Sequence, residues 1–224
     1  MKHIAIATII LISGLGIPVF AKISQIKEVP KLLSATSTFN EVTPATLVRE
    51  LAPIIVSQNI IPDVPFFSQF ADILSPAWQK VGCGVTSLAM IIEYYKPDTV
   101  SVNTLLKQGI ANGAYSKKSG WTYKGLISLG NKYGLDGDSY DLAALSQKDA
   151  FTQFKGSLKN GPVIVSVHYK FDPKSTIPHL VVINGIKDDT IYYNDPAAKV
   201  GEKTISVANF LLAWKKRFIV VRPV

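Results

Sequence analysis

A single cysteine is the strongest candidate for chemistry in this sequence. Cys83 lies between Gly82 and Gly84, directly before an apolar run at 84–95 that is typical of a buried central helix. The free N–H groups at a helix N-terminus stabilise a thiolate, and the amide N–H of Cys83 can itself hold an oxyanion. The flanking glycines allow a sharp backbone turn and leave room for a substrate carbonyl. Most lone cysteines are small buried apolar residues, but this position predicts a nucleophile.

A nucleophilic thiolate needs a base and a group that orients the base. His168 follows a β-branched run at 163–167, whereas His179 opens a second such run and Asp195 follows a third. A tight hairpin about Lys187-Asp188-Asp189 places His179 and Asp195 almost opposite each other, where an imidazole and a carboxylate can hydrogen-bond. The alternatives are a structural histidine and an Asp-Pro turn. The pairing favours His179 as the base and Asp195 as the orienting acid.

The elements predicted around these residues change from helical to extended along the chain. Cap residues and apolar spacing predict helices at 84–95, from Ser101 or Asn103 to Gln108, from Thr122 to Lys132, from Ser146 to about Lys159, and from Ser206 to Trp214. β-Branched and aromatic runs predict strands at 64–67, 163–167, 180–186, 190–194 and 217–221, the first at a sheet edge because it contains Pro65. This order predicts an α+β fold with a helical N-terminal lobe and a C-terminal antiparallel sheet.

The first 21 residues have the layout of a secretory signal peptide. Met1-Lys2-His3 is a short basic start, the stretch from Ile4 to Phe20 carries no charge, and small residues precede a cleavage site after Ala21. The alternative is an uncleaved anchor, but glycine and proline interrupt the second half of the apolar run. We therefore expect a secreted, periplasmic or cell-envelope protein that has no stable membrane insertion after cleavage of residues 1–21.

Residues 22–62 differ in composition from the rest of the chain. They contain four prolines and a Ser/Thr-rich stretch at 34–38, and one short helix is predicted from Pro44 to about Pro53. The segment can be a linker, a pro-segment or an arm packed on the domain. The main domain is predicted at 63–224.

The overall composition excludes several classes of protein. The chain has 224 residues, 47% of them hydrophobic, which is enough for one domain with a sizeable core. One cysteine excludes an intramolecular disulfide and a CxxC metal site, and neither common nucleotide-binding motif occurs. The net charge is +8, with short basic clusters at Lys117-Lys118 and 215–217 but no dense stripe for nucleic acid. An anionic cell envelope or acidic substrates fit this charge better than nucleic acid does, but a solvated cationic surface with no partner is the commonest case, so the charge alone assigns no partner.

The motifs, taken in order, resemble the C39-like peptidases, which have the papain-like cysteine peptidase fold. The resemblance covers roughly residues 60–222 and rests on the segments VPFFSQ (64–69), GCGVTSLAM (82–90), GPVIV (161–165), HLVVING (179–185) and NDP (194–196). It implies that Cys83 is the nucleophile, His179 the general base and acid, and Asp195 the residue that orients the imidazole. It also implies a peptide or protein substrate and requires no metal or organic cofactor.

The oxyanion-stabilising glutamine has two candidates. Gln69 matches the family glutamine in the segment FSQ, whereas Gln79 lies nearer the cysteine in the sequence, as the corresponding glutamine does in leader-processing relatives and papain-type enzymes. The resemblance favours Gln69. Alternative functions are a cysteine amidase or transferase that acts on cell-wall peptides, and a catalytically silent binding module that retains the fold.

Overall fold

The computed structural model describes residues 61–224. The predicted signal peptide at 1–21, the predicted helix from Pro44 and nearly all of the segment 22–62 lie outside the described residues. Ile61 and Pro62, the last residues of that segment, pack against Gly185. Within residues 61–224, no helix is long and apolar enough to cross a bilayer.

Six α-helices form in the described part of the chain. They are α1 (Pro76–Gln79), α2 (Cys83–Tyr95), α3 (Val102–Ala111), α4 (Tyr123–Asn131), α5 (Gln147–Leu158) and α6 (Val207–Ala213). The predicted caps are confirmed at Thr122, Ser146 and Ser206. Each of these side chains accepts a hydrogen bond from one backbone N–H in the first turn of its helix.

Helix α3 differs from its prediction in two respects. It begins directly after Ser101, but the Ser101 side chain makes no cap, and it continues beyond Gln108 to Ala111. The other predicted cap, Asn103, lies inside the helix. Its side-chain amide instead donates to Asp72 O and accepts from Leu74 N, which ties α3 to the loop before α1.

The strands form one six-stranded antiparallel sheet and a separate short hairpin. The hairpin pairs β1 (Tyr115–Ser116) with β2 (Gly120–Trp121). The sheet has the order β3-β8-β4-β5-β6-β7 and contains β3 (Leu135–Asp141), β4 (Val163–His168), β5 (Pro178–Lys187), β6 (Thr190–Asn194), β7 (Lys203–Ser206) and β8 (Trp214–Pro223). Between β4 and β5, a 3₁₀ turn spans Tyr169–Phe171.

Helices cover both faces of the sheet, which explains why β4 and β5 are apolar almost throughout. Ile164 and Val182 belong to one hydrophobic cluster with α2, α3 and α4, whereas Val165 and Val181 belong to a second cluster with α5 and α6. A strand that is buried on both faces has apolar residues at successive positions and not only at alternate ones. The α+β class is therefore confirmed, but the helices are not all in an N-terminal lobe.

One predicted strand does not form, and several elements were not predicted. Residues 64–67 form no strand, because the Val64 carbonyl accepts the side-chain amide of Asn194 instead of a strand N–H. Conversely, β3 was not predicted, since its sequence LDGDSYD is polar and contains glycine. Its pairing with β8 at the sheet edge overrides this low propensity. The hairpin β1–β2, strand β7 and helix α1 were also missed.

The hairpin of β5 and β6 turns where predicted but in a different register. Its strands end in the pair Lys187 and Thr190, and an irregularity lies between Ile183 and Gly185. Val182 pairs with Asn194, so this register continues with Asp195 opposite Val181, two residues from His179. The two site residues are diagonal neighbours instead of direct partners, and diagonal neighbours on one face remain within reach of long side chains.

Asn194 joins the entry of the domain to the sheet next to the candidate site. Its side chain is fully buried, donates to Val64 O at 2.8 Å and accepts from Glu202 N at 2.8 Å.

Replacing Asn194 with alanine leaves the Val64 carbonyl and the Glu202 N–H without their hydrogen bonds to this side chain, and we expect the free energy of unfolding to fall by about 2 kcal/mol. Urea denaturation measures this loss. Asn209→Ala, at an exposed position, should change the value by less than about 0.5 kcal/mol, and equal effects of the two substitutions would contradict the assignment.

Candidate active site

Cys83 is the first residue of α2, at the end of the helix where N–H groups have no acceptor within the helix. It is partly exposed and lines a cleft of about 560 Å³ together with His179. The sequence therefore predicted correctly that a helix start carries the thiol. The cleft gives this thiol access from solvent.

The flanking glycines are needed for close packing and not for an unusual backbone turn. Gly82 has φ −79° and ψ −2°, which any residue adopts. A Cβ at Gly82 would collide with the Ile73 side chain, and a Cβ at Gly84 would lie 2.6 Å from Trp121 Cβ. The turn into α2 therefore does not need the conformational freedom of glycine at this position. Both glycines allow neighbouring side chains to approach the backbone around the thiol.

Trp121 supports the segment that leads into α2. Its ring packs against Gly84, and its Nε1–H donates to Val81 O at 2.7 Å. It thereby fixes the backbone on both sides of Cys83. The sequence reasoning missed this residue, because its position in a two-residue strand gives no local signal.

His179 lies near the start of β5 and is only 4% exposed. Its Nε2 donates to Asp195 Oδ1 at 2.6 Å, and the same oxygen accepts Ala197 N–H at 2.8 Å. The Tyr169 ring packs edge-on against the imidazole at 5.3 Å between centroids. The structure therefore brings Cys83, His179 and Asp195 together. Tyr169 restricts the imidazole and was missed, because it lies in a turn whose direction the sequence does not indicate.

A buried hydroxyl connects the helix of the thiol to the strand of the histidine. Ser87 is one turn after Cys83 on α2, and its Oγ donates to Leu180 O at 3.2 Å. Leu180 directly follows His179, so this bond limits sliding of α2 along β5. The adjacent polar residues Thr86 and Ser87 in the apolar stretch of this helix were the available sequence signal for a buried hydroxyl contact.

The contacts of His179 stabilise its protonated form. Burial lowers the pKa of His179, but hydrogen bonds to Asp195 and Cys83 and the charges of both groups outweigh it and raise the pKa to about 9. Burial likewise raises the pKa of the Asp195 carboxyl, but its hydrogen bond to His179 and the charge of the imidazolium hold that pKa below its ordinary value. The imidazole is therefore positively charged at neutral pH.

The two glutamines have different surroundings. Gln79 donates its side-chain amide to Phe70 O and Ile73 O, which uses both of its N–H groups. Gln69 is buried next to Gly82 and donates its amide to Gln79 O at 2.7 Å. One N–H of Gln69 has no acceptor among the described residues, although neither glutamine lines the cleft that contains Cys83 and His179.

The other histidine and metal binding are separate from this arrangement. His168 Nδ1 donates to Ser175 O at 2.6 Å and closes the loop between β4 and β5. His168 does not line the cleft. Among residues 61–224, no cluster of three or more His, Cys, Asp or Glu side chains is arranged to hold a metal ion.

The order of these residues along the chain agrees with a known protein family. The model of the Peptidase_C39 like family matches residues 61–218, which include the helix of Cys83, the strand of His179 and Asp195 directly after β6. The chain belongs to this family. Its domain therefore has the fold of a cysteine peptidase, as the sequence motifs implied. No curated protein matches the chain.

Two solved structures illustrate the shared fold. A putative C39-like peptidase from Bacillus anthracis has a TM-score of 0.51 at 22% identity, covering 72% of this chain and 96% of that chain. A double glycine motif protease from an AMS/PCAT transporter, solved in complex with the leader peptide, has a TM-score of 0.50 at 23% identity. This match covers 73% of this chain and 94% of the other. Both similarities extend over nearly the whole of the peptidase domains compared.

The raised pKa of His179 makes stability depend on pH. Its ordinary value is 6.5 and its value in the folded protein is about 9, so the folded state binds this proton more tightly. This stabilisation is complete below pH 6.5 and is lost as the pH rises through 9. We expect the free energy of unfolding to fall over that interval, and to fall less in Asp195→Asn, which keeps the acceptor but removes the charge. Urea denaturation at several pH values measures both slopes, and equal slopes would contradict the charge interaction.

Proposed function

We propose that this protein is a secreted cysteine peptidase that hydrolyses peptide bonds through Cys83, His179 and Asp195. The observation that carries the proposal is the shared cleft: the thiol of Cys83 and the imidazole of His179 line it together. Asp195 bonds the Nε2 of the imidazole at 2.6 Å, which leaves Nδ1 for exchange with the sulfur. A nucleophile next to a base that is itself held by an acid is the arrangement typical of enzymes that catalyse acyl transfer.

The first step is attack of the thiolate on a peptide carbonyl. With a pKa of about 9, His179 is an imidazolium at neutral pH, and the sulfur beside it attacks as the thiolate. The sulfur forms a bond to the carbonyl carbon, and the resulting oxyanion collapses as the C–N bond breaks. His179 then gives its proton to the departing amine, which leaves an acyl-thioester on Cys83.

The second step regenerates the thiolate. Neutral His179 accepts a proton from water while the water oxygen attacks the thioester carbonyl. Collapse of the second oxyanion releases the carboxylic acid and the sulfur. Asp195 holds the imidazole in one tautomer and stabilises its charged form through both steps.

Gln69 and the Cys83 N–H are the proposed donors to the oxyanion. The remaining N–H of Gln69 and the position of this residue beside Gly82 support it over Gln79, whose amide is used within its own loop. A peptide substrate is supported by the transporter relative, which was solved with its leader peptide. The signal-like sequence at 1–21 supports secretion.

Replacing Cys83 with alanine tests the nucleophile. We expect hydrolysis of a fluorogenic peptide library to fall by at least about a thousandfold, because no acyl-enzyme can form. Circular dichroism and urea denaturation should show a folded protein of nearly unchanged stability, since the thiol is partly exposed.

Labelling with iodoacetamide near pH 6 provides a second readout. The wild-type thiol should react stoichiometrically, because it begins α2, is partly exposed and lines the cleft together with the His179 imidazolium. Full hydrolysis by Cys83→Ala, or no labelling of the wild type, would contradict the proposed nucleophile.

The two glutamines give a matched pair of variants for the oxyanion site. Gln69→Ala should lower kcat by about a hundredfold to a thousandfold, because a donor to the developing oxyanion is lost. Gln79→Ala removes hydrogen bonds to Phe70 O and Ile73 O and should lower stability with little change in kcat. Steady-state kinetics and urea denaturation of both variants measure these effects. A larger loss of kcat in Gln79→Ala would reverse the assignment.

A further inference from the structure

Four basic residues line the cleft that contains Cys83 and His179. They are Lys80, Lys118, Lys215 and Arg217, and none of the acidic residues described between 61 and 224 lines the same cleft. This distribution differs from that along the sequence, where lysines are scattered in short clusters. In the folded protein, Lys118 from the first cluster and Lys215 and Arg217 from the second line the same cleft as the thiol.

Three separate elements contribute the lysines. Lys80 follows α1 and precedes the thiol by one short loop, Lys118 lies in the turn of the hairpin β1–β2, and Lys215 lies at the start of β8. Their neighbours in the sequence do not share this position. Lys117 does not line the cleft, and Lys216 donates its ammonium to Ala143 O and Leu145 O. The topology therefore selects particular lysines for the cleft.

The charge of the cleft is only partly neutralised. Arg217 forms an ion pair with Asp141, at 2.9 Å between Nε and Oδ2. Lys80, Lys118 and Lys215 form no ion pair with any acidic residue in the described part of the chain. The imidazolium of His179 is itself paired with Asp195. The three lysines therefore supply positive charge that a bound ligand can neutralise.

An aromatic wall lies beside these lysines. Tyr115 and Trp121 both line the cleft and pack edge-to-face with ring centroids 5.4 Å apart. Trp78 packs on Tyr115 in the same manner at 4.9 Å. This wall offers a fixed apolar surface to the stem of a peptide side chain, while the lysines line the same cleft and can pair with its charged end.

We propose that this cleft selects peptides that carry carboxylates close to the scissile bond. The proposal rests on the peptidase function proposed above and names the substrate class of the same site. The carboxylate has two sources, an acidic side chain or the C-terminus of a short peptide. The chemistry of recognition is the same for both, because lysine ammonium groups attract and hydrogen-bond either one.

The first test uses the reactivity of Cys83 and needs no hydrolysis. Iodoacetate and iodoacetamide alkylate the same sulfur but differ in charge, so the ratio of their rates, normalised to free cysteine, reports the charge around the thiol. We expect the double variant Lys118→Gln/Lys215→Gln, hereafter the cleft variant, to lower this ratio by about threefold to tenfold. Raising the ionic strength from about 0.01 M to about 1 M should lower it in the wild type.

Lys107→Gln/Lys148→Gln is the matched control for this test. Lys107 on α3 and Lys148 on α5 are exposed and do not line the cleft, so the control loses the same charge without changing the cleft. Its ratio should equal that of the wild type. An unchanged ratio in the cleft variant, or an equal fall in the control, would overturn the proposal.

The second test compares peptides that differ only in carboxylates. In an otherwise neutral peptide with an amidated C-terminus, glutamate beside the cleaved bond should give a kcat/KM at least about fivefold higher than glutamine at the same position. This difference between the two peptides should be smaller in the cleft variant. The glutamine peptide with a free C-terminus tests the other source. A preference for either carboxylate that falls in the cleft variant supports the proposal, and equal values for all three peptides overturn it.

The two tests separate this inference from the proposed function. If no peptide is cleaved but the alkylation ratio responds to the lysines, the peptidase proposal fails while the anion preference of the cleft is upheld. If peptides are cleaved with no preference for carboxylates, the function is upheld and the inference fails.

Discussion

The hydrogen bond between His179 and Asp195 is the contact on which the site depends, and the hydrophobic core holds it in place. Its geometry requires β5 and β6 to keep one register, although the pairing has an irregularity between Ile183 and Gly185. Burial of β4 and β5 on both faces fixes that register, because a slip would exchange the side chains of two packed clusters. The imidazole is therefore positioned by the whole sheet and not by its immediate neighbours alone.

The position of the thiol relative to this imidazole has a second, independent origin. Helix α2 is apolar almost all round and packs between the sheet and the other helices. The Ser87 hydroxyl fixes its offset along β5, and Trp121 fixes the loop before it. Gly82 and Gly84 allow these contacts by having no side chain. Close packing at the helix start thus determines where the sulfur lies.

Local signals predicted those parts of the fold whose stability is also local. Cap residues predicted three helix starts, and continuous apolar runs predicted β4, β5 and β6. Strand β3 was missed because its polar sequence becomes extended only through pairing with β8, and 64–67 was wrong because a side chain takes the place of a strand partner. The sequence could pair His179 with Asp195 from hairpin geometry. It could not indicate Tyr169, or that lysines from three elements surround one cleft, because these contacts join distant segments.

The hairpin β1–β2 forms a wall of the cleft but takes no part in the six-stranded sheet. Its strands have two residues each, and β2 begins with Gly120, whose φ of +71° favours glycine. Substitutions, insertions or deletions in residues 117–119 therefore alter the rim without disturbing the strands that carry the histidine. Homologous proteins can diverge in what they accept at this rim while they retain the same reaction centre.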